Sequence, residues 1–173
     1  MTQGGVLFLD LGLQTGWVYG LPGDPVPEWG FWELPEGTYA QRFNAFVNVL
    51  EDAIRLRKPK LIGIEEMIPQ KHNKHHIARI TGGLHALADL VCLWEDVPSK
   101  RIHELTLRSA VCGRSRLTTL EKTIRPKVTV KSEIVLPWIQ SKGWEITNHN
   151  AADAAVGWAY LTGIRALKKG LTK

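Results

Sequence analysis

Val6-Leu7-Phe8-Leu9 is an unbroken apolar run that ends in Asp10. A run of this kind reads as a strand buried on both faces, the centre of a sheet. Gly12 and Gly16 follow at turn spacing, so Gly16 to Gly20 reads as an antiparallel second strand. Leu21 to Pro27 is loop-like, and Glu28 to Leu34 alternates small or polar residues with large ones, as a third strand near an edge does. Phe43, Phe46, Val47, Leu50 and Ile54 recur at helical spacing, which predicts a helix from Thr38 to Arg57. Leu61 to Glu66 repeats the opening theme of a short apolar strand ending in carboxylate. The spacing then predicts a helix over Ile77–Trp94, a strand over Val97–Ile102 and a short helix over Leu105–Cys112. Gly113 to Lys127 has no periodicity and reads as an exposed loop. Val128 to Ser141 reads as a helix that Pro137 can kink, and a last helix is expected from Asn150 to Leu167. The order implies a mixed α/β sheet with the strands at Val6 and Leu61 side by side.

Three carboxylates stand at special points of this pattern. Asp10 and Glu65 each close a strand, where a lone buried charge is costly without cations or donors around it. Asp153 lies near the start of the last helix among Ala151, Ala152, Ala154 and Ala155, small residues that permit close approach to another element. Asn148 or Asn150 can cap that helix, and the dipole of a first turn would favour Asp153. Taken singly, Asp10 reads equally well as a turn cap and Asp153 as a helix-start acid. Glu66 competes with Glu65, because neighbours in a strand face opposite ways.

Composition narrows the class. A chain of 173 residues with 44% hydrophobic and 23% charged residues suits one compact unit over residues 1–173. Cys92 and Cys112 are the only cysteines and have no metal-ligand spacing, so a reduced, cytoplasmic protein is expected. No signal peptide, membrane span or membrane association is expected either. The net charge of +5 is modest, so its placement matters more than its size. Arg108, Arg114, Arg116, Lys122, Arg125, Lys127 and Lys131 form a basic stretch in which Glu121 is the only acid counted. That is the footprint of a nucleic-acid partner, against the alternative of a merely solvated face. Lys71 and Lys74, in the loop after the Glu65 strand, are further candidates for DNA contact. The histidines of that loop have no cysteine or acid near them, which argues against zinc.

Asp10-Leu11-Gly12-x-x-Thr15-Gly16-Trp17, Ile64-Glu65 after Lys58-Pro59, and Asn150-Ala151-Ala152-Asp153-Ala154 together resemble the RuvC family of Holliday-junction resolvases, especially its short phage-type members. The resemblance spans the whole chain. It implies an RNase H-like fold, a five-stranded mixed sheet flanked by helices on both faces. It also implies a metal-dependent endonuclease acting on four-way or branched DNA, with two Mg²⁺ ions and Mn²⁺ able to substitute. Carried over by position, Asp10 would bridge the metals while Glu65 and Asp153 each hold one. The residue three before the last aspartate is often acid or histidine in the family. Here it is Asn150, which offers a carbonyl oxygen without charge, and His149 is the neighbouring candidate to act on the water or phosphate. Lys131 matches the lysine that approaches the reacting phosphate. A homodimer is implied, with the Ile77–Trp94 helix as interface and His85 and Asp89 at its polar margin; core packing is the competing use of that helix. Two other readings share features: a branched-DNA-binding protein with weakened catalysis, and an actin-like nucleotide-binding domain, which shares the first motif but needs a second subdomain.

Overall fold

The computed structural model describes residues 4–66 and 75–164. Strands β1 (Val6–Asp10), β2 (Gln14–Gly20), β3 (Glu28–Glu33), β4 (Leu61–Glu65) and β5 (Ser99–Ile102) form one sheet in the order β3-β2-β1-β4-β5. β1 pairs antiparallel with β2 and parallel with β4, placing Leu7 opposite Ile62 and Leu9 opposite Ile64. The expected mixed sheet is therefore the one that forms. The helices are α1 (Tyr39–Arg57), α2 (His75–Trp94), α3 (Glu104–Cys112), α4 (Thr119–Ile124), α5 (Leu136–Ser141) and α6 (His149–Leu161), with a π-helical segment at Lys131–Val135.

Successive side chains of β1 point to opposite faces, and each face has its own core. Leu7 and Leu9 pack with Ile62 and Ile64 against Phe46, Leu50 and Ile54 of α1 and Ile80 and Leu84 of α2. Val6 and Phe8 pack on the other side against Ala151, Ala155 and Trp158 of α6, with Leu107 of α3 and Ile139 of α5 completing the layer. Leu7, Phe8 and Leu9 are fully buried, and each such side chain contributes about 1.5–3 kcal/mol. Gly63 and Gly157 make room for the Phe8 ring, which a Cβ at either position would meet at 2.3 and 2.2 Å. The aromatic ring thus seats α6 close on the sheet.

Four expectations need correction. The stretch from Gly113 to Lys127 is not all loop: α4 forms there, capped by Thr118 and Glu121 in a reciprocal capping box. The helix expected from Val128 to Ser141 changes register at Pro137. Proline has no N–H to give the Glu133 carbonyl, and that carbonyl accepts from Arg114 Nη2 at 3.3 Å instead. Leu136 donates back to the Lys131 carbonyl, which produces the π turn. The last helix stops at Leu161, and Gly163 follows in the left-handed region at φ 89°. Finally, α2 is long and apolar enough, by length and composition, to cross a membrane. Its inner face, Ile80, Leu84, Ala88 and Val91, is spent on the core.

The proposed polar margin of α2 is also different. His85 is buried, not marginal: the Arg101 guanidinium contacts its Nδ1, donates to its carbonyl oxygen at 2.9 Å and pairs with Asp89 at 2.7 Å. Burial and then the Arg101 charge lower the His85 pKa to about 4.

Candidate active site

β1 and β4 run parallel and in register, so Asp10 and Glu65 leave the same edge of the sheet at the same level. Both are partly buried, while Glu66 is exposed and uses its N–H on the Ile102 carbonyl at 2.9 Å. Glu65 shares the electrostatic environment of Asp10 and Asp153.

The third carboxylate arrives on α6. Asn148 is its cap, accepting on Oδ1 from the N–H groups of Asn150 at 2.9 Å and Ala151 at 3.0 Å. Asn150 donates from Nδ2 to the Gln14 carbonyl at 2.8 Å, tying the helix start to β2 and leaving its own carbonyl oxygen as the atom for any other ligand. The contact is close because residue 16 is glycine. A Cβ there would stand 2.1 Å from the Asn150 carbonyl carbon and 2.4 Å from the Ala151 nitrogen. Asp153 is the fifth residue of α6 and so begins its second turn, beyond the first turn where the helix dipole was expected to act. Side chains supply its partners instead.

Those partners are two cations. Arg108 Nη2 donates to Asp153 Oδ1 at 3.2 Å, and Lys131 Nζ lies 2.5 Å from Oδ2. Arg108 is also ion-paired with Glu104, one turn earlier on α3. Among the described residues neither Asp10 nor Glu65 has an ion-pair partner. Burial first, then the Asp153 charge, raises the Asp10 pKa to about 7; Lys131 and Arg108 oppose this. Burial first, then Asp10 and Asp153, raises Glu65 to about 8. Among the described residues the cleft therefore gathers more carboxyl groups than its two cations can pair, and Asp10 and Glu65 hold their protons to unusually high pH.

Arg108 is the residue that sequence reasoning misplaced. Counted with the basic stretch, it turns inward and is only 11% exposed. The available signal was its Glu104-x-x-x-Arg108 spacing beside the apolar Leu107 and Val111, which puts a salt-bridged pair next to a buried stripe. The stretch itself is also more neutral than its composition. Arg114 pairs with Glu121 at 2.6 Å, and Arg125 pairs with Glu133 through both guanidinium nitrogens, at 2.7 and 3.1 Å. Arg116, Lys122 and Lys127 are exposed and have no acid partner among the described residues. His149 is exposed, four residues before Asp153. Lys71 and Lys74 lie outside the described residues.

By type the donor atoms suit a hard divalent cation: they are carboxyl oxygens and a carboxamide oxygen in a partly dry cleft, with more acids than cations among the described residues. Among the described residues no three His, Cys, Asp or Glu side chains are drawn closely enough together to enclose an ion, and Asp153 is occupied by Arg108 and Lys131.

No protein-family model matches the sequence, and no curated protein matches it either. Solved structures do. The chain is similar to Thermus thermophilus RuvC in complex with a Holliday junction substrate, with a TM-score of 0.69 and 13% identity over 92% of this chain and 94% of that one. A second structure of Thermus thermophilus RuvC gives 0.68 and 13%, over 93% and 98% of the two chains. The yeast mitochondrial Holliday junction resolvase gives 0.64 and 11%, over 92% and 78%. At these identities the likeness is one of fold alone: the five-stranded mixed sheet and its helices have the RuvC/RNase H-like α/β fold.

Proposed function

We propose that this chain, RuvC-like in fold, is a divalent-metal-dependent endonuclease that cuts Holliday junctions or other branched DNA. The observation that carries the reading is that Asp10 and Glu65, at the ends of adjacent parallel strands, and Asp153 of α6 lie near enough to raise one another's proton affinity. A cation bound here would take the place of the protons on these acids and would be held by Asp10, Glu65 and Asp153, with the Asn150 carbonyl oxygen in reserve. Mg²⁺ is the ion of choice, with Mn²⁺ able to substitute. The ion would supply Lewis-acid stabilisation of charge on the phosphate oxygens.

The chain's own residues do the rest. Asp10 and Glu65 are presented by strands whose other residues are locked in both cores, so the carboxylates are preorganised. Lys131, 26% exposed at the mouth, has an ammonium that can exchange Asp153 for a phosphate oxygen and neutralise it. His149, exposed four residues before Asp153, is in place to carry a proton to or from the reacting oxygens. Arg116, Lys122 and Lys127 supply charge for the DNA backbone, as Lys71 and Lys74 would.

A second copy belongs in the same reading, because a four-way junction has two symmetry-related strands to cut. One face of α2 is core, but Leu90, Leu93 and Trp94 are exposed on its other side, Leu93 at 75% and Trp94 at 60%. That outer face is the proposed two-fold interface.

The test is cleavage of a labelled four-way junction and of matched duplex, with Mg²⁺ and with EDTA. Junction-selective, EDTA-sensitive incision is expected. Binding without incision in every metal tried would leave a DNA-binding protein. ATP hydrolysis without DNA incision would point to the nucleotide-binding alternative.

A further inference from the structure

We propose that Glu104 and Arg108 are a positioning pair for the cleavage reaction: Glu104 anchors Arg108, and Arg108 fixes one oxygen of Asp153 while leaving the other for exchange. The proposal rests on the nuclease reading above. Glu104 and Arg108 stand one helical turn apart on α3 and share a face. Leu107 and Val111, beside Arg108 on that helix, are buried in the layer that also holds Ala151, Ala152 and Ala155 of α6. Core packing therefore sets where the guanidinium sits, and its rigid planar fork holds two carboxylates at fixed angles, which a rotating ammonium does not.

The two cations on Asp153 differ in kind. Arg108 is 11% exposed, carries two acids and holds Oδ1 at 3.2 Å. Lys131 is 26% exposed, has Asp153 as its one described acid and holds Oδ2. Exchange is easiest where a cation has one contact and access to solvent, so Oδ2 is the ligand atom and Oδ1 the hinge pin. Burial also keeps Arg108 from a duplex backbone. It differs in this from Arg116, Lys122 and Lys127, although all four lie in the same basic stretch.

The experiment compares Glu104→Gln, Arg108→Lys, Arg108→Met and the double variant Glu104→Gln/Arg108→Met with the parent. Two quantities are read: the single-turnover rate on a four-way junction with Mg²⁺, and junction affinity in EDTA across a salt series. Arg108→Met is expected to slow cleavage by about a hundredfold and Glu104→Gln by about tenfold, the range for groups that orient a metal ligand. Arg108→Lys should recover part of the rate. The double variant should be no slower than Arg108→Met, because Glu104 acts only through Arg108. Junction affinity in EDTA, and its salt slope, should match the parent throughout. Glu104→Gln is nearly isosteric and partly exposed, so it remains informative even if Arg108→Met fails to fold. Multiplying defects in the double variant overturn the proposal, and so does a parent-like rate for Glu104→Gln. A salt slope that falls by about one unit in Arg108→Met overturns it as well, by making Arg108 a phosphate contact. A parent that leaves every junction uncut removes the nuclease reading and this proposal together; the other failures remove this proposal alone.

Discussion

The carboxylate cleft and the basic arm from Gly113 to Val130 are both built of charged residues, yet they treat charge in opposite ways. In the cleft the acids sit on β1, β4 and α6, elements whose remaining residues are core, and among the described residues two of the three have no ion-pair partner. In the arm two of the arginines are exposed and already neutralised, Arg114 by Glu121 and Arg125 by Glu133. Exposed pairs of that kind are worth about 1 kcal/mol or less and are screened by salt. Desolvated acids without a paired counter-ion are screened far less, and Asp10 and Glu65 relieve their repulsion by holding protons to higher pH. The cleft is thus an instrument under electrostatic stress, and the arm is a soft surface. Disturbing the first should change rate and stability; disturbing the second should change only affinity.

The largest effect belongs to the acids. Asp10→Asn, Glu65→Gln and Asp153→Asn are each expected to slow single-turnover junction cleavage by about a thousandfold or more, the scale for losing one preorganised electrostatic group. Junction binding should stay close to that of the parent. Glu66→Gln is the control, since that side chain is exposed, and should cut normally. A Glu66→Gln variant that fails while Glu65→Gln cuts would reverse the facing assigned to β4.

Next comes the seating of α6. Gly16→Ala puts a Cβ 2.1 Å from backbone of Asn150, and backbone cannot swing aside as a flexible side chain does. A cost of about 3 kcal/mol is expected, read as a shift in the denaturation midpoint. Cleavage should fall with it, because the same contact carries Asp153 to the sheet. Asn150→Asp should also be destabilising, by about 1 kcal/mol, since a carboxylate cannot donate to the Gln14 carbonyl. Asn150→Ala and His149→Ala should slow cleavage less than Asp10→Asn does. Unchanged stability in Gly16→Ala would mean that α6 can be lifted from β2 at no cost.

Charge stress in the cleft should be visible without any DNA. Asp10 titrates at about 7 and Glu65 at about 8 in the folded protein, above ordinary values of 3.8 and 4.5. Folding therefore favours their protonated forms, and the associated stability is present below pH 4 and lost as pH rises through 7 to 8. Metal-free protein should lose on the order of 6 kcal/mol between pH 5 and pH 8 from this source. Asp10→Asn should flatten that loss and raise the melting temperature at pH 8, by about 5 °C for a chain of this size. Millimolar Mg²⁺ should restore the parent in the same direction. Stability that holds steady or rises across that range in EDTA would show that the acids are not stressed.

What the chain revealed of itself follows the same division. The strand-end acids were legible because an apolar run that stops at a charge has one simple meaning, and β1 and β4 are such runs. Asp153 was legible from its alanines, although its true partners were not, because Arg108 and Lys131 reach it from elements distant in sequence. Arg108 was missed for a related reason: counting charge along a stretch cannot tell an inward guanidinium from an outward one. Helix α4 was missed because six residues show no period, although Thr118-x-x-Glu121 spelled its cap. The π turn needed knowledge that Arg114 would take up the carbonyl Pro137 leaves unserved.

The smallest expected effects lie in the arm, and they sharpen the contrast most. If arginines neutralised by their own acids are already committed, they release few counterions on meeting DNA. Arg114→Gln and Arg125→Gln should then barely change the slope of log affinity against log salt. Arg116, Lys122 and Lys127 have no acid partner among the described residues, so each change to Gln should lower the slope by about 0.9 on duplex arms. Combined, the latter three should weaken duplex and junction alike, since phosphate contacts carry no sequence or branch information. Cleavage at saturating protein should stay near the parent rate, because none of the three touches the cleft. Lys131→Ala should do the reverse, depressing rate by more than affinity, as a contact made in the transition state does. Equal slopes for the paired and unpaired groups would mean that DNA pulls Arg114 and Arg125 off Glu121 and Glu133. The arm would then be a surface that trades internal ion pairs for phosphates, and its free residues would lose their special standing.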